Sequence, residues 1–126
     1  MTRPNGVAGP VDGNTAMFAP YARAGDLVFV SGQASVDEHG LVVSGTFAEE
    51  MRRSVENVRR VLADVGLGLS DVVKVNAYVH DPADLREYNQ IYAEYFVQPR
   101  PARTTTTSCL TDRIKFEMDV IAHSGN

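Results

Sequence analysis

Arg103 stands at the head of a run of small polar side chains, Thr104, Thr105, Thr106, Thr107, Ser108 and Cys109, and two carboxylates, Glu117 and Asp119, follow closely. A guanidinium keeps its charge at any working pH and its planar fork matches a carboxylate, so Arg103 predicts an anionic partner. Two sources are open: a ligand, or an internal ion pair with Glu117 or Asp119 on a neighbouring strand. Threonine favours strands, and successive strand side chains point to opposite faces. Arg103, Thr105, Thr107 and Cys109 then share one face, and Thr104, Thr106, Ser108 and Leu110 the other. Neither row is apolar enough for a central core strand, which leaves an edge, a subunit contact or a polar pocket.

Other chemistries find little support. His39, His80 and His123 are far apart and none has metal-ligand spacing to another His, Cys or paired carboxylate. No glycine-rich phosphate loop and no internal repeat occurs. Cys109 is the only cysteine, so no internal disulfide can form; a reducing cytoplasm and a small packed side chain are expected. A net charge of −4 argues against a broad nucleic-acid surface, which needs clustered Lys and Arg. The pairs Arg52-Arg53 and Arg59-Arg60 alternate with Glu49, Glu50, Glu56 and Asp64 and read as a solvated helix face. The opening residues lack the apolar centre of a signal peptide, and no run approaches the length of a membrane span.

The elements that must position Arg103 follow from periodicity. With 126 residues, 44% hydrophobic and 22% charged, the chain fits one domain over 1–126 rather than a disordered or fibrous class. After a Gly/Pro/Asn-rich opening, "GDLVFVSGQ" reads as a strand with Leu27, Phe29, Ser31 and Gln33 on one face and Val28, Val30 and Gly32 on the other. A turn at His39-Gly40 and a short strand precede Thr46, which has capping-box spacing to Glu49. Phe47, Met51, Val55, Val58, Leu62 and Val65 recur at helical steps, predicting a helix over 47–65 that Gly66 stops. "VVKVNAYV" alternates Val73, Val75, Ala77 and Val79 against Val72, Lys74, Asn76 and Tyr78. Asp81 and Pro82 then start a second helix with the stripe Leu85, Tyr88, Ile91, Tyr92, Tyr95 and Phe96, ended by Pro99 and Pro101. In the last strand Ile114, Phe116, Met118 and Val120 oppose Lys115, Glu117 and Asp119.

This order predicts a two-layer α+β sandwich, a mixed sheet with both helices on one face. The other face would carry Lys74, Asn76, Glu117, Asp119 and one threonine row, together with Val72, Tyr78 and Ile121. That is enough apolar surface to expect a symmetric oligomer covering it.

"APYARAGDLVFVSGQ", a Val75-x-x-Tyr78-x-x-Asp81-x-x-Asp84…Asn89-x-x-Tyr92…Phe96 arrangement, and "PARTT" followed by "IKFEMDVIA" resemble the RidA (YjgF) family of enamine/imine deaminases. The likeness runs from about Pro20 to Ala122. It implies a chorismate-mutase-like fold, a homotrimer whose sheets form a central barrel, and sites between adjacent subunits. Position by position, it assigns the substrate carboxylate to Arg103 and the acid that holds the attacking water to Glu117. Tyr21 matches the tyrosine of the family's Gly-Pro-Tyr segment and joins Arg103 and Glu117 as a catalytic candidate, while Ser31 and Asn89, with Thr105, match substrate-binding positions of the cleft. Many deaminase members have cysteine two residues after the arginine; here Thr105 stands there, with its carbonyl available, and Cys109 lies further on. The same resemblance implies hydrolysis of a 2-aminoacrylate-like enamine, through its 2-imino acid, to a 2-keto acid and ammonia, with no cofactor or metal. Other readings are a non-catalytic trimeric module binding small carboxylates and, since some relatives are described so, a ribonuclease or translation inhibitor. For each site residue a plain structural role also stands: Tyr21 in packing, Asn89 in a local turn, Ser31 in satisfying backbone.

Overall fold

The computed structural model describes residues 17–125. The Gly/Pro/Asn-rich opening and the expectation about a signal peptide fall on residues outside this range. A five-stranded sheet in the order β1-β2-β5-β3-β4 is built from β1 (Tyr21–Ala24), β2 (Leu27–Ala34), β3 (Val72–Val79), β4 (Ala102–Thr107) and β5 (Phe116–His123). Helices α1 (Phe47–Ala63) and α2 (Leu85–Tyr95) join the strands. Neighbours pair antiparallel except β3 and β4, which run parallel because α2 carries the chain back between them. The mixed α+β sandwich read from the sequence is the fold observed.

Local chemistry starts each helix where expected. The Thr46 hydroxyl accepts from the Glu49 amide at 3.1 Å while the Glu49 carboxylate accepts from the Thr46 amide at 2.8 Å. Phe47, Met51, Val55, Val58 and Leu62 are buried, each contributing roughly 1.5–3 kcal/mol relative to exposure. Beyond Ala63 the chain turns at Gly66, whose φ of 77° only glycine adopts without strain, so Val65 packs from the turn rather than the helix. Before α2, Asp81 caps a single 3-10 turn (Pro82–Asp84) by accepting from the Ala83 amide at 3.0 Å. The short strand expected after His39-Gly40 is reduced to one bridge between Val36 and Val42. β1 was not foreseen; its four residues pair with β2 across Gly25, which has φ 58°.

Two bulges correct the strand faces. In β3 the register shifts between Val72 and Lys74, so Val72 turns to the core at 6% exposure and Val73 points out at 47%. In β2 the shift lies between Val30 and Gln33, which moves Gln33 opposite core-facing Met118 and off the face of Phe29. Buried polar groups of α1 satisfy the backbone around that second bulge: Ser54 donates to the Gln33 carbonyl and Asn57 to the carbonyls of Ala34 and Val36.

Cys109 is exposed rather than packed. Ser108, at φ 62°, turns the chain out of β4 before Cys109 can extend the Arg103 row.

A buried carboxylate ties α1 to the loop before β5. Glu50, 1% exposed, accepts from the Lys115 ammonium and from the amides of Lys115 and Gly45, each at 3.1 Å. Removing it strands two inward-facing amides. Glu50→Ala should therefore lower unfolding free energy by about 3 kcal/mol, read as a lower urea midpoint with unchanged slope, and Glu50→Gln by less.

Candidate active site

The register decides where Arg103 points. On β4 it lies opposite Val75, and Thr105 lies opposite Ala77; both partners face the helices. The guanidinium therefore reaches α2, with its carbon 5.0 Å from the Tyr88 ring centroid and 4.6 Å from that of Tyr92. Its Nη1 donates to Asn89 Oδ1 at 2.9 Å. Thr105 sits beside it through a 2.7 Å hydrogen bond with the Tyr88 hydroxyl. Contact of a cation with aromatic faces is favourable by about 0.5–2 kcal/mol and fixes the plane of the guanidinium without neutralising it.

The internal ion pair considered from sequence does not form. Glu117 lies opposite Tyr78, and Asp119 opposite Asn76, on the sheet face turned away from the helices. β3 separates their strand from β4, so they are neither on the Arg103 face nor on its neighbour. Among the described residues no carboxylate pairs with Arg103. Asp119 is instead taken by Asn76 and the Tyr78 hydroxyl, each at 2.9 Å. Through that hydrogen bond, and then burial, the Tyr78 hydroxyl is pushed up to about 12.

A cleft of about 400 Å³ opens beside Arg103, lined by Asn89, Tyr92, Ala93, Arg100, Pro101 and Arg103. The three α2 residues follow helical spacing; Arg100 and Pro101 lie just before β4, and Arg103 is its second residue. Tyr92 is 4% exposed, and its hydroxyl has no hydrogen-bond partner among the described residues. Burial pushes the hydroxyls of Tyr88 and Tyr92 up, while the Arg103 charge pulls both the other way.

The remaining sequence-derived candidates gather elsewhere. Ser31, in the β2 bulge, donates its hydroxyl to the Ala19 carbonyl at 2.6 Å and its amide to the Pro20 carbonyl at 2.9 Å. It thus fixes the start of β1, where Tyr21 lies opposite Val30, half-buried against the core. Next to Ser31, a Cβ added to Gly32 would overlap Oε2 of Glu117. The absence of a side chain at Gly32 is what lets the carboxylate lie over the bulge. Burial pushes the Glu117 carboxyl above its ordinary value, and the charge of Asp119 acts in the same direction.

The six candidates therefore form two groups. Arg103, Asn89 and Thr105 meet between β4 and α2; Glu117, Ser31 and Tyr21 gather around the β2 bulge. Tyr21 and Arg103 are on opposite edge strands, four inter-strand steps or roughly 19 Å apart. Tyr88, Tyr92, Gly32 and Arg100 were not singled out from sequence. The i,i+4 tyrosine pair flanking Asn89 is the one signal that could have found the guanidinium platform.

The model of a family described as Endoribonuclease L-PSP matches residues 13–124. The chain belongs to this family, the RidA (YjgF) family. A RutC family protein of Pyrococcus abyssi is 38% identical over 111 residues, 84% of this chain and 87% of that one. The 3-aminoacrylate deaminase RutC of Acinetobacter baylyi is 38% identical over 89 residues, covering 70% of this chain and 71% of its own. The crystal structure of yeast Mmf1 superposes with a TM-score of 0.83 at 29% identity, covering 98% of each chain. A Saccharomyces cerevisiae relative, 31% identical over 112 residues, covers 88% of this chain and 77% of its own, and is named MMF1, mitochondrial. The family thus includes a deaminase acting on an enamine acid. Among the described residues no helix is long and apolar enough to cross a membrane.

The raised Glu117 carboxyl has a definite stability consequence. A group that binds its proton more tightly when folded contributes stability fully present below its unfolded value, about 4.3, and lost as pH rises through the folded value. Glu117→Gln, which resembles the protonated form, should therefore be more stable than wild type at pH 7 and equal to it below about pH 4. Urea midpoints at the two pH values provide the check.

Proposed function

We propose that this protein hydrolyses reactive 2-imino acids and their enamine tautomers to 2-keto acids and ammonia, in clefts shared between copies of the chain. One observation carries the reading: a fixed guanidinium with no carboxylate partner among the described residues lies on one sheet face, and a carboxylate of raised proton affinity lies on the other. Neither group can act on the other's ligand within one chain. A second copy laid on the open sheet face, which presents Phe29, Tyr78 and Ile121, would bring Glu117 and Ser31 to the Arg103 group of its neighbour, with Tyr21 at the rim of that contact on the edge strand β1. A homotrimer closes such a head-to-tail contact into a ring. The 38% identity with the A. baylyi 3-aminoacrylate deaminase supports the reaction class.

The reaction asks for little. Enamine and imine interconvert by a proton shift, and C2 of the 2-imino acid is already electrophilic. Arg103 holds the carboxylate and so fixes C2. Glu117 takes a proton from water as its oxygen bonds to C2, and the imine nitrogen gains one. As the C–N bond of the resulting carbinolamine breaks, its electron pair leaves with nitrogen, which takes up a second proton to depart as ammonia, and the hydroxyl gives up its proton to Glu117 in exchange as the keto group forms. A carboxyl poised closer to neutrality serves both transfers better than an ordinary one. Thr105 has its side chain committed to Tyr88 and would contribute its carbonyl to the water site. The whole chain, 1–126, acts as one domain. It needs no metal or cofactor, and it works in the cytoplasm without nucleic-acid or membrane partners. If it bound small carboxylates without turnover, the Arg103 group alone would suffice.

With 2-iminopropionate generated by an amino-acid oxidase, Arg103→Ala should lose about 100-fold or more in kcat/KM, and Glu117→Gln a similar factor. Co-expression of the two variants tests the shared cleft. Random assembly gives about one site in four both native groups, so activity near a quarter of wild type is expected. Mixed assemblies as inactive as either parent would overturn the shared site. Wild-type ammonia release no faster than in buffer would overturn the hydrolase.

A further inference from the structure

The cleft beside Arg103 holds a second guanidinium that the reaction above does not use. Arg100 lines the same cavity, and its Nε donates to the Phe96 carbonyl at 2.8 Å, which anchors the side chain at the C-terminal end of α2. Among the described residues Arg100, like Arg103, has no carboxylate partner. None of the six lining residues is acidic. The acid nearest in sequence on α2, Glu94, is held bidentate by Arg52 at 3.0 and 3.1 Å. A chain of net charge −4 thus concentrates in one small cavity two positive charges that no carboxylate among the described residues pairs. Tyr92, in the same lining, supplies a ring under Arg103 and a buried hydroxyl without a partner among the described residues, and both guanidinium charges act on that hydroxyl.

One carboxylate is matched by Arg103 alone, which Asn89 and the two tyrosines already orient. Two guanidiniums and a polar wall suit a ligand with two acid groups, because each charge-assisted bond adds to affinity and an unmatched cation gains nothing. We propose that Arg100 binds a second carboxylate, making 2-imino dicarboxylic acids of four or five carbons, the imines of acidic α-amino acids, the preferred substrate class. This rests on the hydrolase reading for turnover, but the binding claim stands apart from it. The supplier of such a substrate would be a two-electron oxidation of the Cα–N bond of an acidic amino acid, or elimination of a β-substituent such as hydroxyl from a β-substituted one.

Calorimetry with keto acids reads the site without catalysis. Wild-type protein should bind 2-oxoglutarate about tenfold or more tightly than pyruvate, with a steeper loss at higher ionic strength. Arg100→Gln should abolish that advantage and leave pyruvate affinity unchanged. Equal affinities in wild type, an unchanged preference in Arg100→Gln, no binding of 2-oxoglutarate, or parallel weakening of both ligands would each overturn the proposal. The last outcome would make Arg100 a support of the Arg103 site, through Phe96, rather than a second subsite. Turnover then separates the two claims. If 2-iminoglutarate and 2-iminopropionate are both inert while 2-oxoglutarate binding depends on Arg100, the hydrolase reading fails and the subsite stands. If both turn over and Arg100→Gln changes neither KM, the subsite fails and the hydrolase stands.

Discussion

Strand side chains alternate, and the parallel register of β4 on β3 applies that alternation to Arg103: opposite Val75, it has to share the face that the helices cover. A slip of one residue would send it to the other face, among Lys74, Asn76 and Asp119. In the observed register the guanidinium meets the tyrosines of α2, which hold its plane but carry no opposing charge. Glu117, on β5, is committed to the opposite face by the same rule applied to a different pairing. The separation of the two chemical groups is thus a consequence of sheet geometry.

The open sheet face has a character of its own. Gly32 leaves room for the Glu117 carboxylate, the Pro20 carbonyl accepts from the Ser31 amide in the bulge while Ser54 and Asn57 donate to the carbonyls that follow it, and Asp119 is occupied by two donors. Glu117 remains the acid of this face without a hydrogen-bond partner among the described residues. Its raised proton affinity follows from having burial and a like charge nearby with no donor to offset them. By contrast, Glu50 is buried more deeply but receives three donors, and serves to fasten α1 to the chain before β5.

Family membership places this chain among proteins that include an enamine-acid deaminase, and the fold agrees over nearly the whole chain. The cleft beside Arg103 is lined by two arginines with different anchors, aromatic faces and an asparagine for Arg103 and a helix-end carbonyl for Arg100, so each is held without a carboxylate among the described residues.

Periodicity and capping chemistry in the sequence determined the two helices, the apolar side of β5 and most of that of β3, the polar character of the threonine strand and the layer architecture, because these depend on neighbours within one turn or one strand. Motif order identified Arg103, Asn89 and Glu117 as candidates. Tertiary structure alone decided the bulges that turned Val72 inward and moved Gln33, the left-handed Ser108 that left Cys109 exposed, and the faces on which Arg103 and Glu117 lie. It also brought Arg100 into the cleft, which no spacing announced. Register, bulge position and the packing of a helix against a particular strand edge are set by contacts between segments distant in sequence, and a local pattern holds no record of them.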